Sequence, residues 1–379
     1  MLRHPSHSSV PVLRCKPIVS QALGSLPPMP IPLVLRALLT AHGPSGYEFA
    51  PATVFAQASS AFGDVTTDVM GSVWARVAGR SGGPTLAVVG HIDEIGLIVT
   101  HVEDEGFLRF AGVGGWDPQI LVGQRVELAT RQGAVPGVIG KKPIHLLRDE
   151  ERKKVAELRD LHIDIGAAGG DEARSLVRVG DVAVLAGDPI ELPNGRAVSR
   201  SMDNRLGCFV AYEAARLVAE AGGAPGDVVA VAVVQEETTM SGAGTTAYAL
   251  RPDLAVVVDV THATDAPGVP TSELGSHPLG SGPVVQRGAN INPRVAELLL
   301  DSAEAEGISH TIEASGRGTG TDLDAVHASR GGVPSGLVSL PLRYMHSPVE
   351  MVQLDDVHAA ARLIAAAAQR LSAHTSFAR

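Results

Sequence analysis

Seven acidic and histidine side chains lie just past an apolar run or at a turn marked by glycine or serine. The apolar runs end near residues 90, 234 and 258, and members of the set follow each of them closely. In chain order the set is His91, Asp93, Asp203, Glu236, Glu237, Asp259 and His346. Imidazole nitrogens mixed with carboxylate oxygens suit borderline divalent ions such as zinc or cobalt. The series therefore predicts a two-metal hydrolase with its site at strand ends.

The histidines of the set have companions that metal ligands need. Asp93 stands two residues after His91, so in a strand the two side chains lie on one face. Asp93 can then accept the imidazole N–H and fix its tautomer, as around many metal-bound histidines. His346 lies in an irregular segment before the last predicted helix and completes the donor set. Histidines without such companions are predicted to be structural or solvent-facing: His145, His162, His262, His277, His310, His327 and His358.

The carboxylates support the same chemistry. Asp203 is expected to open a helix, where it can cap the N-terminus and remain ionised to bridge cations. Glu236 and Glu237 repel each other after a buried strand unless cations or separate roles relieve them. One can ligate a metal while the other takes a proton from water, provided that the strand has ended by Gln235. Asp259 follows three valines, and burying it without a partner would be costly.

Composition limits the partners and the cellular location. The net charge of −10 argues against nucleic acid or an anionic membrane surface as a partner. No apolar run reaches the length of a membrane span. Cys15 and Cys208 are far apart and belong to no metal-binding spacing, which excludes a disulfide framework. A cytoplasmic protein is therefore expected.

From Met29 onward, strand and helix signals alternate as in an α/β sheet. Residues 1–28 lack both these signals and a secretory pattern, and they are predicted to be a disordered extension or a misassigned start before Met29. Strands are expected near 65–77, 85–90, 227–234 and 253–259. Helices are expected at 31–42, from Asp203 to Gly222, from Ser241, at 293–306, and near the C-terminus with a face from Leu354 to Leu371.

Residues 95–188 interrupt this alternation. Short β runs divided by glycine-rich turns, with one charged helical stretch at 148–159, predict a small β-barrel-like domain. The interruption divides the chain into a catalytic α/β domain, made of residues 29–94 and 189–379, and an insert at 95–188. Exposed strand edges on such an insert would have to be paired or covered, which predicts that it mediates oligomerisation.

Several motifs together resemble the tetrahedral (TET-type) metallo-aminopeptidases, a family that includes glutamyl aminopeptidases and relatives labelled endoglucanase M. The resemblance extends in order from about Met29 to the last helix. The motifs are Ser45-Gly46-Tyr47-Glu48, Gly90 to Gly96, Gly137 to Leu147, Asp164 to Ala167, Asp203-Asn204-Arg205, Gln235-Glu236-Glu237, Asp259 to His262, Thr321-Asp322 and Met345-His346-Ser347.

The resemblance implies a phosphorylase/hydrolase-like three-layer α/β fold with an inserted dimerisation domain, and dodecameric tetrahedra with inward-facing active sites. It implies that His91, Asp203 and Asp259 hold one divalent ion. Asp203, Glu237 and His346 would hold the second, with Asp203 bridging. Glu236 would be the general base and Asp93 would orient His91. The ions would be zinc or cobalt, with manganese possible, and the substrates short peptides with a free N-terminus.

Three other functions use some of the same features. A related metal-dependent deacylase or carboxypeptidase would have similar ligands. An endoglucanase needs two carboxylates flanking one bond and aromatic platforms for sugars, and only 3% of this chain is aromatic. A non-catalytic scaffold would be expected to lack ligands, whereas this chain has the complete set. The preferred N-terminal side chain does not follow from the sequence.

Overall fold

The computed structural model of this protein describes residues 30–378, and the expectation for residues 1–28 lies outside them. The strands are β1 (Asp64–Thr67), β2 (Val73–Val77), β3 (Gly83–His91), β4 (Gly96–Val102), β5 (Leu108–Val113), β6 (Arg125–Thr130), β7 (Gly133–Lys141), β8 (Leu161–Asp164), β9 (Val182–Leu185), β10 (Ile190–Leu192), β11 (Arg196–Ser199), β12 (Gly226–Val233), β13 (Leu254–His262), β14 (Val284–Gly288), β15 (Thr311–Ser315), β16 (Ser335–Leu342) and β17 (Glu350–Gln353).

The α-helices lie before, between and after these strands. They are α1 (Leu33–Thr40), α2 (Phe49–Ser59), α3 (Pro118–Leu121), α4 (Asp149–Arg152), α5 (Gly170–Leu176), α6 (Met202–Glu220), α7 (Glu236–Thr239), α8 (Ser241–Leu250), α9 (Thr271–Leu274), α10 (Pro293–Ala305), α11 (Leu323–Val326) and α12 (Leu354–Gln369). Among the helices of the described chain, none is both long and apolar enough to cross a membrane.

An eight-stranded sheet forms the centre of the α/β part, in the order β1-β2-β12-β3-β13-β16-β14-β15. The four middle strands, β12, β3, β13 and β16, are parallel. Valine-rich runs form these strands because both of their faces are buried. Leu86 and Val88 face the layer that contains α6 and α12, whereas Ala87 and Val89 face the layer of α8 and α11. The predicted three-layer α/β fold is confirmed.

A close approach of helix α6 to strand β3 holds one helical layer against the sheet. A Cβ atom on Gly90 would lie only 2.4 Å from the backbone of Gly207, and one on Gly207 would lie 2.6 Å from the carbonyl oxygen of Val258. Larger residues would push the start of α6 away from the strand ends. The two glycines therefore set the depth at which Asp203 enters the site.

Strands β4, β5, β8, β7, β6 and β9 close into a six-stranded barrel with its own buried core. All of them lie within the segment for which a barrel-like insert is predicted. The barrel is closed, so the expectation of exposed strand edges is wrong for this part of the fold. The charged helical stretch predicted at 148–159 is also wrong in extent, because only Asp149–Arg152 is α-helical. Its side chains form no buried face to stabilise a longer helix.

Sequence patterns found most of the central sheet and missed elements with weak signals. The sequence patterns do not predict helix α2 or strands β14, β15 and β16. Strand β16 contains Pro341, and β15 alternates between half-buried and exposed positions at the sheet edge. The predicted helix at 31–42 is shorter, since it begins after Pro32 and ends at Thr40.

Candidate metal centre

The predicted residues converge at the carboxyl ends of the parallel strands, which is where open α/β sheets bind ligands. His91 is the last residue of β3 and pairs in register with Val233, the last residue of β12. Asp259 lies on β13, two residues beyond Val257, whose partner Val89 precedes His91 by two residues. Strand register therefore brings His91 and Asp259 to the same level of the sheet.

Asp203 lies at the middle of the cluster. Its Oδ1 lies 3.1 Å from His91 Nε2, and its Oδ2 lies 3.4 Å from His346 Nε2. The predicted N-cap role is wrong. Asp203 has non-helical backbone angles, and Ser201 takes the N-cap position without a side-chain cap. The Asp203–Asn204 peptide is cis. Because it caps nothing, the carboxylate is directed into the site with one oxygen toward each histidine.

Each histidine is held by one ring nitrogen and presents the other to the cluster. His91 Nδ1 lies 3.3 Å from Asp93 Oδ1. His346 Nδ1 lies 3.0 Å from the carbonyl oxygen of Gly115. A carbonyl can only accept, so Nδ1 of His346 donates and Nε2 carries the lone pair of the neutral ring. This orientation is the one that metal-binding histidines adopt.

Asp93 also fixes the acidic pair. Its Oδ1 accepts a hydrogen bond from the backbone N–H of Glu236 and its Oδ2 from that of Glu237, both at 3.1 Å. Strand β12 ends before Gln235, which has a left-handed φ of 62° and turns the chain into α7. Adjacent side chains that would point to opposite faces of a strand thus enter the same site. Glu236 Oε2 lies 3.8 Å from His91 Nε2, and Glu237 Oε2 lies 3.5 Å from His346 Nε2.

Three groups of possible ligands overlap in this cluster, and within each group the donor atoms lie within 4.8 Å of one another. One group is His91, Asp203 and Asp259, and another is Asp203, Glu237 and His346. The third contains His91, Glu236 and Glu237. The structure thus brings together every residue of the predicted ligand set.

The buried carboxylates of the cluster outnumber its histidines, and this excess of negative charge shifts the pKa values of several members. Burial raises the pKa of Glu237 and of Asp259 well above its ordinary range, and the charge of Asp203 adds to both shifts. Burial opposes a charge on His91, but Glu236, Asp203 and Asp93 outweigh it and raise its pKa. Burial also acts to raise the pKa of Asp203, but contacts with His346 and His91 lower it overall.

The donor chemistry fits divalent cations. Two imidazole nitrogens and four carboxylates converge, and the Glu237 Oε1 atom is buried without a hydrogen-bond partner. A buried carboxylate oxygen in this position is costly unless a cation faces it. Hard oxygen and borderline nitrogen donors together match zinc, cobalt or manganese rather than a soft ion.

Glu350 is a functional residue that the sequence patterns did not reveal. It is buried at the start of β17, and its carboxylate accepts from the backbone N–H groups of Met202, Asp203 and His346 at 2.7, 3.2 and 2.8 Å. It therefore positions both Asp203 and the second histidine. The sequence feature that indicates Glu350 is a single acid in the apolar run Val349-Glu350-Met351-Val352, because a buried acid needs hydrogen-bond partners.

A buried network of ion pairs between Glu94 and two arginines stabilises the segments next to the site. Glu94 Oε1 lies 3.2 Å from an Arg205 guanidinium nitrogen, and Glu94 Oε2 pairs with Arg200. Arg205 is fully buried and also donates to the carbonyl oxygens of Leu38 and Ala41. The network joins the loop after β3 to the start of α6, and these segments lie next to His91 and contain Asp203, respectively.

A cleft of ≈ 640 Å³ opens over the cluster. Its walls include the ligand candidates together with residues from β13, β14 and β15. His262, predicted to be structural or solvent-facing, is exposed and lines this cleft. Among residues 30–378, no lysine, arginine, phenylalanine, tyrosine or tryptophan lines the cleft.

Comparison with known proteins agrees with this geometry. Residues 71–363 match the model of the family described as M42 glutamyl aminopeptidase. The lysyl aminopeptidase of Pyrococcus furiosus is 32% identical over 343 residues, which cover 89% of this chain and 96% of the relative.

Solved structures show the same likeness. A TET aminopeptidase from a marine sediment archaeon, Thaumarchaeota archaeon SCGC AB-539-E09, has a TM-score of 0.84 and 36% identity, covering 89% of this chain and 96% of that one. The TET1 peptidase of Pyrococcus horikoshii, which can assemble into a tetrahedron or a large octahedral shell, has a TM-score of 0.78 and 33% identity, covering 89% and 99%. With a matching family model, near-complete coverage and a convergent donor cluster, this chain belongs to the M42 family of aminopeptidases, hydrolases that act on peptide bonds.

Proposed function

We propose that this protein is a two-metal aminopeptidase that removes N-terminal residues from short peptides. The observation that carries the proposal is the position of Asp203, which directs one carboxylate oxygen to each of two histidines. Two donor sets therefore share one residue, as a bridged binuclear centre requires. Glu236 belongs to neither donor set and converges on the same cluster, so it is the carboxylate proposed for acid–base work.

The ligands divide between two ions. His91, Asp203 and Asp259 would hold the first, and Asp203, Glu237 and His346 the second. When bound, two such cations polarise a carbonyl group and lower the pKa of water. Zinc, cobalt and manganese all accept this mixture of nitrogen and oxygen donors.

The chain's own residues then supply proton transfer and orientation. Glu236 takes a proton from the attacking water and delivers it to the leaving amine. Burial raises the pKa of the Glu236 carboxyl, which moves it toward the range of an effective base. Asp93 holds the backbone of Glu236 and contacts His91, so it couples the position of the base to that of a ligand.

Substrate polarity follows from the walls of the cleft. An N-terminal ammonium group is attracted to a cleft lined by carboxylates. None of the lysines and arginines among residues 30–378 lines the cleft, so no cation there repels the ammonium group. A carboxypeptidase would need such a cation to bind the C-terminal carboxylate of its substrate. An endoglucanase would need aromatic stacking platforms, and the described lining has none. These features favour an aminopeptidase over both alternatives.

The test is a comparison of free-amine and N-acetylated aminoacyl-p-nitroanilides. Metal-stripped protein should be inactive, and zinc, cobalt or manganese should restore hydrolysis with a strong preference for the free-amine substrates. Loss of the ammonium partner should slow the acetylated series by about 10²-fold or more, the scale of a lost charge-assisted contact. Faster cleavage of the acetylated series would instead identify a deacylase.

We further propose that the barrel mediates self-association, to a dimer and then to a closed dodecamer. Large apolar side chains are exposed on strand β7 and in the segment that follows it in the chain: Val138 (48%), Ile144 (60%), Leu146 (67%) and Val155 (61%). A concentration of exposed apolar residues in one part of a domain is typical of interaction surfaces. One solved TET1 structure has a dodecamer in its asymmetric unit, with a TM-score of 0.79 over 90% of this chain. Active sites enclosed in this way would admit peptides and exclude folded proteins.

Light scattering measures this assembly. We expect a mass of about twelve chains, as in that neighbour, and dissociation when Ile144 and Leu146 are both changed to Asp, because two charges at a buried contact are costly. Val69→Asp is the matched control, since Val69 is fully exposed in the turn between β1 and β2. A wild-type protein that is strictly monomeric would contradict the assembly and leave the two-metal chemistry untouched.

A further inference from the structure

One carboxylate in the cleft belongs to neither proposed donor set and is not the proposed base. Glu313 lies on β15, the edge strand of the large sheet, and lines the cleft. Its Oε2 accepts a hydrogen bond from the Thr261 hydroxyl at 3.0 Å and another from Gln286 Nε2 at 3.2 Å. Gln286 is itself buried and lies 3.4 Å from the Ser339 hydroxyl. These contacts hold the carboxylate in one position.

The charge of Glu313 has no counterpart nearby. Both of its partners are neutral, and among the described residues no lysine, arginine or histidine forms an ion pair with it. Its second oxygen, Oε1, has no hydrogen-bond partner in the described part of the chain. A partly exposed oxygen is thus free to accept a bond from a ligand in the cleft.

The charges of the cleft with two metal ions bound also distinguish Glu313 from the other carboxylates. Four other carboxylates line the cleft, from Asp203, Glu236, Glu237 and Asp259. Two divalent ions carry four positive charges and offset these four negative charges. Glu313 then gives the cleft wall a net negative charge, and low dielectric walls strengthen its field.

The distance to the reaction centre suits a substrate side chain. Thr261, which binds Glu313, follows Asp259 by two residues on β13, so the two side chains lie on one face. Two residues of strand span roughly 6.6 Å. A long side chain on the N-terminal residue covers a similar distance beyond the bond that is cut.

We propose that Glu313 is a specificity-determining residue that selects peptides whose N-terminal residue is lysine or arginine. This inference rests on the proposed aminopeptidase function and names the substrate class of the same site. The ammonium or guanidinium group of the substrate donates to Glu313, while its methylene stem lies along the cleft wall. Peptides that begin with aspartate or glutamate are repelled by the same carboxylate.

A comparison of lysine and norleucine substrates isolates the contribution of the side-chain ammonium group, because the two side chains differ mainly in that group. We expect the metal-loaded wild-type protein to hydrolyse lysyl-p-nitroanilide with a kcat/KM at least about tenfold above that of norleucyl-p-nitroanilide. Glu313→Gln keeps the shape and the contact with Thr261 but removes the charge. It should reduce the lysyl-to-norleucyl ratio to near one and leave the norleucyl rate within about twofold.

A matched control and a binding assay complete the test. Glu297→Gln removes an equivalent charge from helix α10, where Glu297 pairs with Arg287 at 2.7 Å outside the cleft, and it should keep the wild-type ratio. Calorimetry should show tighter binding of L-lysine than of L-norleucine to the wild type and equal binding to Glu313→Gln. Because both ratios are internal to one protein sample, partial misfolding of a variant cancels.

The outcomes distinguish this proposal from the one beneath it. An unchanged lysyl-to-norleucyl ratio in Glu313→Gln would overturn the role of Glu313. Equal losses for both substrates would overturn it as well, because Glu313 would then hold the α-amino group rather than the side chain. If wild type cleaves no aminoacyl substrate, the aminopeptidase proposal fails, while calorimetry still tests the lysine preference.

Discussion

Asp203→Asn should lose both metal ions and with them nearly all activity. An asparagine side chain has one oxygen donor where the aspartate has two, and the amide nitrogen cannot ligate a cation. Oδ1 and Oδ2 of Asp203 face different histidines, so the amide leaves one donor set without its shared oxygen and the other without the charge of the shared carboxylate. Losing the several kcal/mol that bound cations contribute corresponds to a fall in kcat/KM of about 10³-fold or more.

Three measurements check this result. Metal analysis after zinc or cobalt loading should give two ions per chain for wild type and fewer than one for the variant. Added metal should raise the melting temperature of wild type, since a ligand at about 100 times its Kd stabilises by about 2.7 kcal/mol, and should leave the variant unchanged. Asp301→Asn, an exposed charge change on α10, serves as the control. Retention of two ions by Asp203→Asn would refute the bridging assignment.

The donor residues could be predicted from sequence because parallel strands order them. Runs such as Val229–Val234 can be buried only in a sheet covered on both faces, and the carboxyl ends of such strands meet at one edge. His91 and Asp259 follow from this rule alone. The adjacency of Glu236 and Glu237 after a buried strand also indicated that the strand had ended, and the left-handed Gln235 provides that end.

Contacts between segments distant in sequence could not be predicted in the same way. The carboxylate of Glu350 accepts from Met202, about 150 positions earlier, and no local pattern encodes that pairing. Barrel closure likewise depends on β9 returning to β4, a pairing between the two ends of the inserted segment. The non-helical backbone of Asp203 arises from such contacts as well, which is why helix-cap statistics gave the wrong role.

Asp93 connects three parts of the mechanism although it is not among the grouped metal donors. Its two oxygens accept from Glu236 and Glu237, and it contacts the ring of His91. Burial acts to raise the pKa of Asp93, but the contact with His91 and the two backbone donors lower it overall, so it remains an anion. A single buried carboxylate thus fixes a ligand, the base and the second acidic ligand relative to one another.

Glu236→Gln should separate catalysis from metal binding. Glutamine keeps the size of the side chain but cannot accept the proton of the attacking water, so kcat should fall by roughly 10²-fold or more with both ions retained. The side chain of Glu236 is 11% exposed and that of Glu237 is 5% exposed, which gives Glu236 better access to water in the cleft. Glu237→Gln should instead reduce the metal content toward one ion per chain.

The paired variants make the assignment of the base testable, because His91, Glu236 and Glu237 also converge as a possible ligand group. Rapid single-turnover assays and metal analysis on the same samples would compare the two residues directly. If Glu236→Gln turned over at a near-normal rate while Glu237→Gln kept two ions and lost activity, the roles would be exchanged. If the Glu236 variant lost a metal ion, Glu236 would be a ligand. We expect the Glu236→Gln variant to be slow and to retain both ions, a result that requires Glu236 to transfer the proton without binding a metal ion.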